Sequence, residues 1–442
     1  MRKPVFLILA ATVFYVGYAF VLQIPAGGNS AELTILYTGN TFGELKPCGC
    51  AKEVDLGGVE RRETYFKEMR SAEKNILLLD TGDDFKEPTQ QGKIKARFLM
   101  KSMVLMGYDA VMPGDKDLVY GNRFIAELKE IPWVATNMRL TRAEFIPKYR
   151  IKHFANGLKV AVVAAADPDL YYAKENAGVH IAPPREAIET ALQLLHRRER
   201  PNLVVLLTHM AREKALLTFM DVEGVDVIVN GHIEKTTDRI DMTPVQKDGK
   251  IFVQPGPRGQ KVGELKVFID PQGRKTFQQR VVKLDSRVKF DPEMVKLYSV
   301  YNEKIEEIFF ASLAAKRERP QKQVYATEAV CVQCHADAHD TWSRSRHGRA
   351  YDTLTRVHKA FDPECLVCHT TGFDQPGGFI SENDTPELKH VQCEACHGPG
   401  LEHTQAPQPG WSRQAGQACK RCHVKDHSPR FNYADYWPRI KH

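Results

Sequence analysis

From Leu33 to about Asp270 the chain alternates short apolar runs with amphipathic stretches, the rhythm of strands interleaved with helices. The pattern predicts strands at Leu33–Tyr37, Asn75–Leu79, Trp133–Thr136, Val160–Ala164, Leu203–Leu207, Val225–Val229, Ile251–Gln254 and Glu264–Ile269, and a helix over Pro184–Arg198. Asp291-Pro292 then opens a long helical pattern through Ala315, in which Met294, Leu297, Val300, Tyr301, Ile305, Ile308, Phe309 and Leu313 make an apolar stripe. It reads as a connecting helix, stopped by the charged Lys316–Lys322 segment and its Pro320. Beyond it the periodicity fades while Gly, Pro, His and Cys become dense, so something other than a protein-only core must organise the last part. At the other end, Arg2 and Lys3 precede Val5–Leu22, eighteen residues without a charged side chain. That run is longer than a signal-peptide core and about as long as the roughly 20 residues that span hydrocarbon. An uncleaved anchor is favoured over cleavage within the small, polar Ala26–Ala31 region, and either outcome exports the remainder.

At 442 residues the chain is long for one domain, since about 150 residues per domain is the usual prior. Hydrophobic residues at 43% and charged residues at 26% exclude a disordered, collagen-like or polytopic membrane chain. The net charge of +7 is spread without long basic runs, so no nucleic-acid partner is expected. The pattern divides the chain into a signal peptide or anchor (1–30), an α/β domain (31–285), a helix and linker (286–325) and a Cys/His-rich domain (326–442).

Eight of the ten cysteines lie after residue 330, and all eight fall in C-x-x-C-H motifs. These are Cys331, Cys334, His335; Cys365, Cys368, His369; Cys393, Cys396, His397; and Cys419, Cys422, His423. Chance would supply on the order of 0.01 such motifs in a chain of this composition. Two thiols at this spacing reach the two vinyl groups of one porphyrin and the adjacent imidazole coordinates its iron, so each motif is expected to hold one covalent haem c. Disulfides or zinc ribbons would not demand a His after every second Cys. The last Met is Met294, which excludes His/Met ligation by this domain and makes His/His ligation, with its lower potentials, the default. Seven further histidines are available: His339, His347, His358, His390, His403, His427 and His442.

Cys331–Tyr351 (CVQCHADAHDTWSRSRHGRAY) and Val391–His403 (VQCEACHGPGLEH) resemble the tetrahaem cytochromes that accept electrons from hydroxylamine oxidoreductase, over roughly residues 328–442. The resemblance implies distal ligation by His347 and His403, in crossed pairs: His403 to the iron of His335, and His347 to the iron of His397. It leaves His358, His390 and His442 to share the other positions, and implies that one iron can lack a distal protein ligand.

In the front domain, Asp83 follows a strand in LLLDTGD, Asp115 stands in MPGD, His209 ends VVLLTH and His232 ends DVIVNGH. With LTILYTGNTFGEL, GGVERR and FVQPGPRGQKVGELKVFID, this succession resembles the 5'-nucleotidase branch of the calcineurin-like metallophosphoesterases over about residues 31–285, which implies a layered α/β sandwich. The family's D-x-H reads Asn40-Thr41-Phe42 here, its G-N-H reads Gly114-Asp115-Lys116, and its G-H-x-H reads Gly231-His232-Ile233-Glu234. One family metal site therefore maps onto Asp83, Asp115, His209 and His232, all competent ligands for Mn, Fe or Zn. The other maps onto Asn40, Phe42 and Glu234 and is largely destroyed. Lys116 replaces the catalytic His and could pair with Asp83 or Asp115 in place of a missing cation; Lys116 and Asp115 are the candidates for any surviving catalysis. Cys48 and Cys50 in KPCGC offer soft ligands, a reactive dithiol or a local disulfide.

The expectation is an exported multihaem electron carrier with redox protein partners, lying on the periplasmic side of the inner membrane, whose metallophosphoesterase-like domain binds a partner or ligand. The rivals are a metal-dependent phosphoesterase with an accessory haem domain, and a haem-based reductase with one open iron. Nothing in the sequence sets the oligomeric state.

Overall fold

The computed structural model describes residues 31–47, 55–86, 88–171, 178–233, 241–318, 322–411, 415–425 and 427–442. The apolar Val5–Leu22 stretch, Cys48, Cys50 and Glu234 lie outside them. No helix among the described residues is long and apolar enough to cross a membrane.

The front domain is a mixed α/β sandwich of two large sheets. The first runs, in spatial order, Lys275–Lys283, Lys261–Ile269, Ala31–Thr38, Ile76–Asp80 and Ala110–Val111. Its last three strands are parallel, in a register that sets Ile35 beside Leu77 and Leu79 beside Ala110. The second runs Val245–Lys247, Lys250–Val253, Val227–Asn230, Leu203–His209, Lys159–Ala166 and Tyr149–His153, with the central four parallel. Leu203–His209 is buried along its whole length, as an unbroken apolar run must be when both faces of a parallel sheet are covered. The predicted helix is found at Pro184–Arg198.

Two strand expectations need revision. Trp133–Thr136 is no regular strand, because it crosses between the sheets: Val134 N donates to Val111 O on the first, and Thr136 N to Ala164 O on the second. Lys275–Lys283 is a strand that the apolar pattern did not reveal. It is an edge strand with no fully buried residue, so its polar KTFQQRVVK sequence carries little core signal.

The long helix runs Pro292–Glu318 and buries Met294, Leu297, Tyr301, Ile305, Phe309 and Leu313. Val300, 44% exposed, is off the stripe. The helix is more than a connection. Its first four buried residues belong to the front core, while Phe309 and Leu313 join Tyr325, Tyr351, Leu354, Leu366, Phe373, Phe379, Ile380 and Leu388 in the core of the back domain. That back domain is made of short helices, and its only described pairing outside them is the isolated bridge between Thr370 and Lys389.

Candidate functional site

The carboxyl ends of both sheets' parallel strands meet in one cleft, where loops can place side chains on a rigid base. Asp83 follows Ile76–Asp80 and Asp115 follows Ala110–Val111 on the first sheet; His209 ends Leu203–His209 and His232 follows Val227–Asn230 on the second. Their ligand atoms all lie within 4.8 Å of one another. His209 Nε2 stands 2.9 Å from Asp115 Oδ1 and 3.4 Å from Asp83 Oδ1, and His232 Nδ1 stands 3.4 Å from Asp115 Oδ1. Ligands about 2.1 Å from a tetrahedral ion would be about 3.4 Å apart, so the spacing suits one ion.

Second contacts orient the set. His209 Nδ1 lies 3.0 Å from Thr81 O, which takes its proton and leaves Nε2 to the cleft. His232 Nδ1 is buried without a hydrogen-bond partner, as an unfilled ligand nitrogen would be. Burial opposes charge on His209, yet the Asp83 and Asp115 carboxylates lift its imidazole to about 9. Burial likewise works to raise Asp115, but the hydrogen bond with His209, the nearby His232 imidazole and the Lys116 ammonium hold it well below the usual carboxylate range. Both shifts come from the close opposition of the Asp83 and Asp115 carboxylates to His209 and Lys116. Two carboxylates and two imidazoles fit one divalent metal such as Mn, Fe or Zn.

The altered motifs lie beside this set. Lys116 Nζ is 2.7 Å from Asp83 Oδ2 and 3.4 Å from Asp115 Oδ2, and it lies 5.4 Å from the centre of the Phe42 ring. Burial opposes its charge, but Asp83 and Asp115 raise it above the usual lysine range, so it stays an ammonium at neutral pH, unable to act as a base and a far weaker general acid than an imidazolium. Asn40 is fully buried with both amide atoms unpartnered. Asn40, Phe42 and Asp83 all adopt left-handed backbone, with φ of 54°, 51° and 59°. The turns are zipped together by Asn40 N to Gly82 O at 2.7 Å and Phe42 N to Asp83 O at 3.0 Å. Gly82 is required at this point, since a Cβ there would collide with the backbone of Gly114.

Sequence reasoning missed the residue that ties these turns together. The buried Asp117 carboxylate accepts from Gly114 N at 2.7 Å, Asp83 N and Asp84 N at 2.9 Å each, and Phe85 N at 3.2 Å. Its only signal is an acidic residue two positions beyond Asp115, in GDKD. Arg62, the last residue of GGVERR, is also buried, donating to Thr41 Oγ1 at 3.2 Å and Tyr108 OH at 3.4 Å behind the cleft.

In the back domain, none of the eight motif cysteines is joined in a disulfide. The second and third motifs lie within the helical turns Pro363–His369 and Cys393–His397, where positions three and four apart share a face. The signature residues have structural work. Glu394 accepts from the backbone N–H groups of Ala326, Thr327 and Gly400 at 2.7–2.8 Å. Trp342 Nε1 donates to Val391 O at 2.7 Å, and Ser345 Oγ accepts from His347 N at 3.1 Å. The Cys393–His397 turn packs against both Glu328–Cys331 and Ala415–Arg421, so the third motif adjoins the first and the fourth.

Three motif imidazoles face a second imidazole. His335 and His403 have ring centres 6.4 Å apart, His347 and His423 6.1 Å, and His397 and His442 5.8 Å. Two metal–nitrogen bonds of about 2 Å plus two ring radii of about 1.1 Å sum to about 6 Å, so the ring centres are spaced as two imidazoles sharing one iron would be. His403 thus faces the motif expected of it. His347 stands against His423, and His442 stands against His397. Linear motif order cannot reveal this pairing, because it depends on how the C-terminal segment folds back. His369 Nδ1 lies 2.7 Å from Ala350 O, which leaves Nε2 for metal, but no second imidazole among the described residues pairs with it in this way. His390 Nδ1 accepts from Tyr351 N at 3.2 Å, a bond that places its proton on Nε2 and marks a structural role. His358 is exposed, at φ 53°.

Comparison with known proteins agrees with this division. Residues 330–398 match the family model described as cytochrome c554 and c-prime. Cytochrome c-554 of Nitrosomonas europaea is 31% identical over 119 residues, 24% of this chain and 48% of that protein. The front domain is similar to snake venom 5'-nucleotidase of Gloydius brevicauda, 26% identical over 247 residues, 52% of this chain and 41% of that protein. A 5'-nucleotidase precursor of Thermus thermophilus shares the fold at a TM-score of 0.56 and 20% identity, over 67% of this chain and 61% of that one. The chain spans less than half the length of these two curated relatives. It is a fusion of a 5'-nucleotidase-like phosphoesterase fold with a cytochrome c554-like domain.

Proposed function

We propose that this chain is an exported multihaem c-type electron carrier whose front domain holds one divalent metal and binds a ligand or redox partner instead of hydrolysing phosphate esters. The observation that carries this reading is the set of three imidazole pairs 5.8–6.4 Å apart, each containing a motif histidine. In it the eight motif cysteines anchor four haems, which when bound supply one-electron exchange between ferric and ferrous iron. His403, His347 and His442 are the distal ligands to the irons of His335, His423 and His397. Packing of the third motif against the first and the fourth supports the partial order first, third, fourth. The Ala350 carbonyl orients His369, and Ser428 Oγ, 3.1 Å from Nδ1, orients His423. In the cleft, Asp83, Asp115, His209 and His232 hold the metal while Lys116 neutralises the side from which a second ion would act. Hydrolysis that depends on two bridging ions then has no second ion. Thioether attachment and the N-terminal apolar stretch together support the periplasmic face of an inner membrane.

One observation favours a second reading beside the first. Among the described residues His369 faces no second imidazole, so the second iron would offer an open position for a small molecule. A redox titration followed by optical and electron paramagnetic resonance spectroscopy tests both: four one-electron haems are expected, three low-spin and one high-spin that binds carbon monoxide. Fewer than four haems, or release of phosphate from nucleotides with added Mn²⁺ that Asp83→Ala abolishes, would count against the carrier reading.

A further inference from the structure

The front domain touches the back domain at the second attachment motif. On the helix Gln90–Met106, Gln91 Nε2 donates to Asp362 Oδ1 at 2.8 Å and Lys95 Nζ to Glu364 Oε2 at 2.5 Å. Asp362 is the N-cap of the helix that carries Cys365, Cys368 and His369, and Glu364 immediately precedes Cys365. The Lys95 side chain is only 12% exposed, so this ion pair is shielded from water on the lysine side.

The same lysine reaches back toward the cleft. A Cβ on Gly43 would sit 3.4 Å from Lys95 Cδ, an ordinary packing distance. Gly43 N donates to Asp84 O at 2.7 Å, and Phe42 N to Asp83 O at 3.0 Å. Asp83 is a cleft ligand. The altered first motif therefore lies between the turn that bears Asp83 and the stem of the lysine that pairs beside Cys365.

We propose that Phe42–Gly43, Lys95 and Glu364 link the cleft energetically to the second haem site, so that cation occupancy of one and redox state of the other change together. This rests on reading the cleft as metal-binding and the second motif as haem-bearing. A cation in the cleft favours the less positive, reduced state of a nearby iron, and by reciprocity reduction tightens cation binding by the same factor. Contiguity alone does not establish such coupling, so both directions need measuring.

The probe is Zn²⁺, which is redox-inert, titrated calorimetrically into the full-length protein in its oxidised and its electrochemically reduced forms. At least threefold tighter binding to the reduced protein is expected, with the second haem's midpoint raised by about 28 mV, from 59 mV per tenfold for one electron. The high-spin, carbon monoxide-binding signal identifies that haem. Lys95→Met with Glu364→Gln should bring the ratio below about 1.5-fold while preserving the haem spectra and Zn²⁺ binding to oxidised protein. Arg97→Met, which removes the exposed pair with Glu127 on the same helix, should leave the linkage intact. Equal Zn²⁺ affinity in the two states, no Zn²⁺ binding at all, or undiminished linkage in the double variant each overturns the proposal. Should the double variant not fold, the two-state comparison on the unaltered protein decides alone. None of these outcomes touches the four-haem titration on which the carrier reading depends.

Discussion

Asp117→Asn tests whether one carboxylate organises the cleft. The substitution is nearly isosteric, but an amide has one acceptor oxygen and one donor nitrogen where the carboxylate has two acceptors. Oδ1 can still receive Asp84 N and Phe85 N, whereas the amide nitrogen replaces Oδ2, which accepts from Asp83 N at 2.9 Å and Gly114 N at 2.7 Å. Two buried N–H groups then meet a third donor, and flipping the amide only transfers the conflict to the other pair. At about 1–3 kcal/mol for each buried group left unsatisfied, with partial relaxation, the expected cost is about 3 kcal/mol. For a domain of this size that is a drop in melting temperature of roughly 6–12 °C. Far-ultraviolet circular dichroism reads the front domain, and the haem absorbance of the same sample supplies an internal reference. Because Asp117 holds the turns before Asp83 and Asp115, Zn²⁺ affinity should fall as well, with haem spectra unchanged. A melting shift under about 1 °C with normal Zn²⁺ affinity would refute the reasoning.

Three other outcomes follow from the geometry. His347→Ala should convert the fourth-motif haem to a high-spin, carbon monoxide-binding form and leave the third unchanged in electron paramagnetic resonance spectra; loss of the third signal instead would restore the pairing with His397. Lys116→Ala removes an ammonium that competes for Asp83, so Zn²⁺ should bind about tenfold more tightly by calorimetry, an effect of about 1.4 kcal/mol. Weaker binding would show that Lys116 supports the metal. Leu366→Ala, at a fully buried position between the cysteines of the second motif, should destabilise the back domain by about 2–5 kcal/mol in denaturant titration.

How far the sequence could be read depends on how local each signal is. Leu203–His209 and Pro184–Arg198 declare themselves because burial imposes a pattern on consecutive residues. The haem motifs are likewise legible, since attachment chemistry fixes three residues within five consecutive positions. Asp83, Asp115, His209 and His232 could be named only because each ends a strand, and the cleft brings them together as expected. Distal pairing was not legible in the same way. His347 and His442 are nearly a hundred residues apart and meet their partners through the path of the chain around the haem sites. Asp117 escaped for another reason: its partners are backbone N–H groups, which every residue has and no motif marks.

The long helix packs the two halves against each other. Had Pro292–Glu318 been a solvated spacer, its apolar stripe would be an exposed liability and domain motion the default. Instead one continuous stripe is shared, with Met294, Leu297, Tyr301 and Ile305 in one core and Phe309 and Leu313 in the other. Around it, Gln91 donates both to Tyr301 on the helix and to Asp362 at the second motif, and Lys359 Nζ donates to Asn302 at 2.6 Å. Farther along, Lys316 pairs with Asp374 and Arg317 with Asp384. These last pairs are largely exposed and contribute little stability each, but they fix the rotation of the helix against the haem-bearing loops. Rotation matters because the buried positions recur every three or four residues, so a turn of the helix by one residue would withdraw the stripe from both cores together. Register between the domains is thus set by the same side chains that stabilise each domain, and it is this register that holds Lys95 against Glu364.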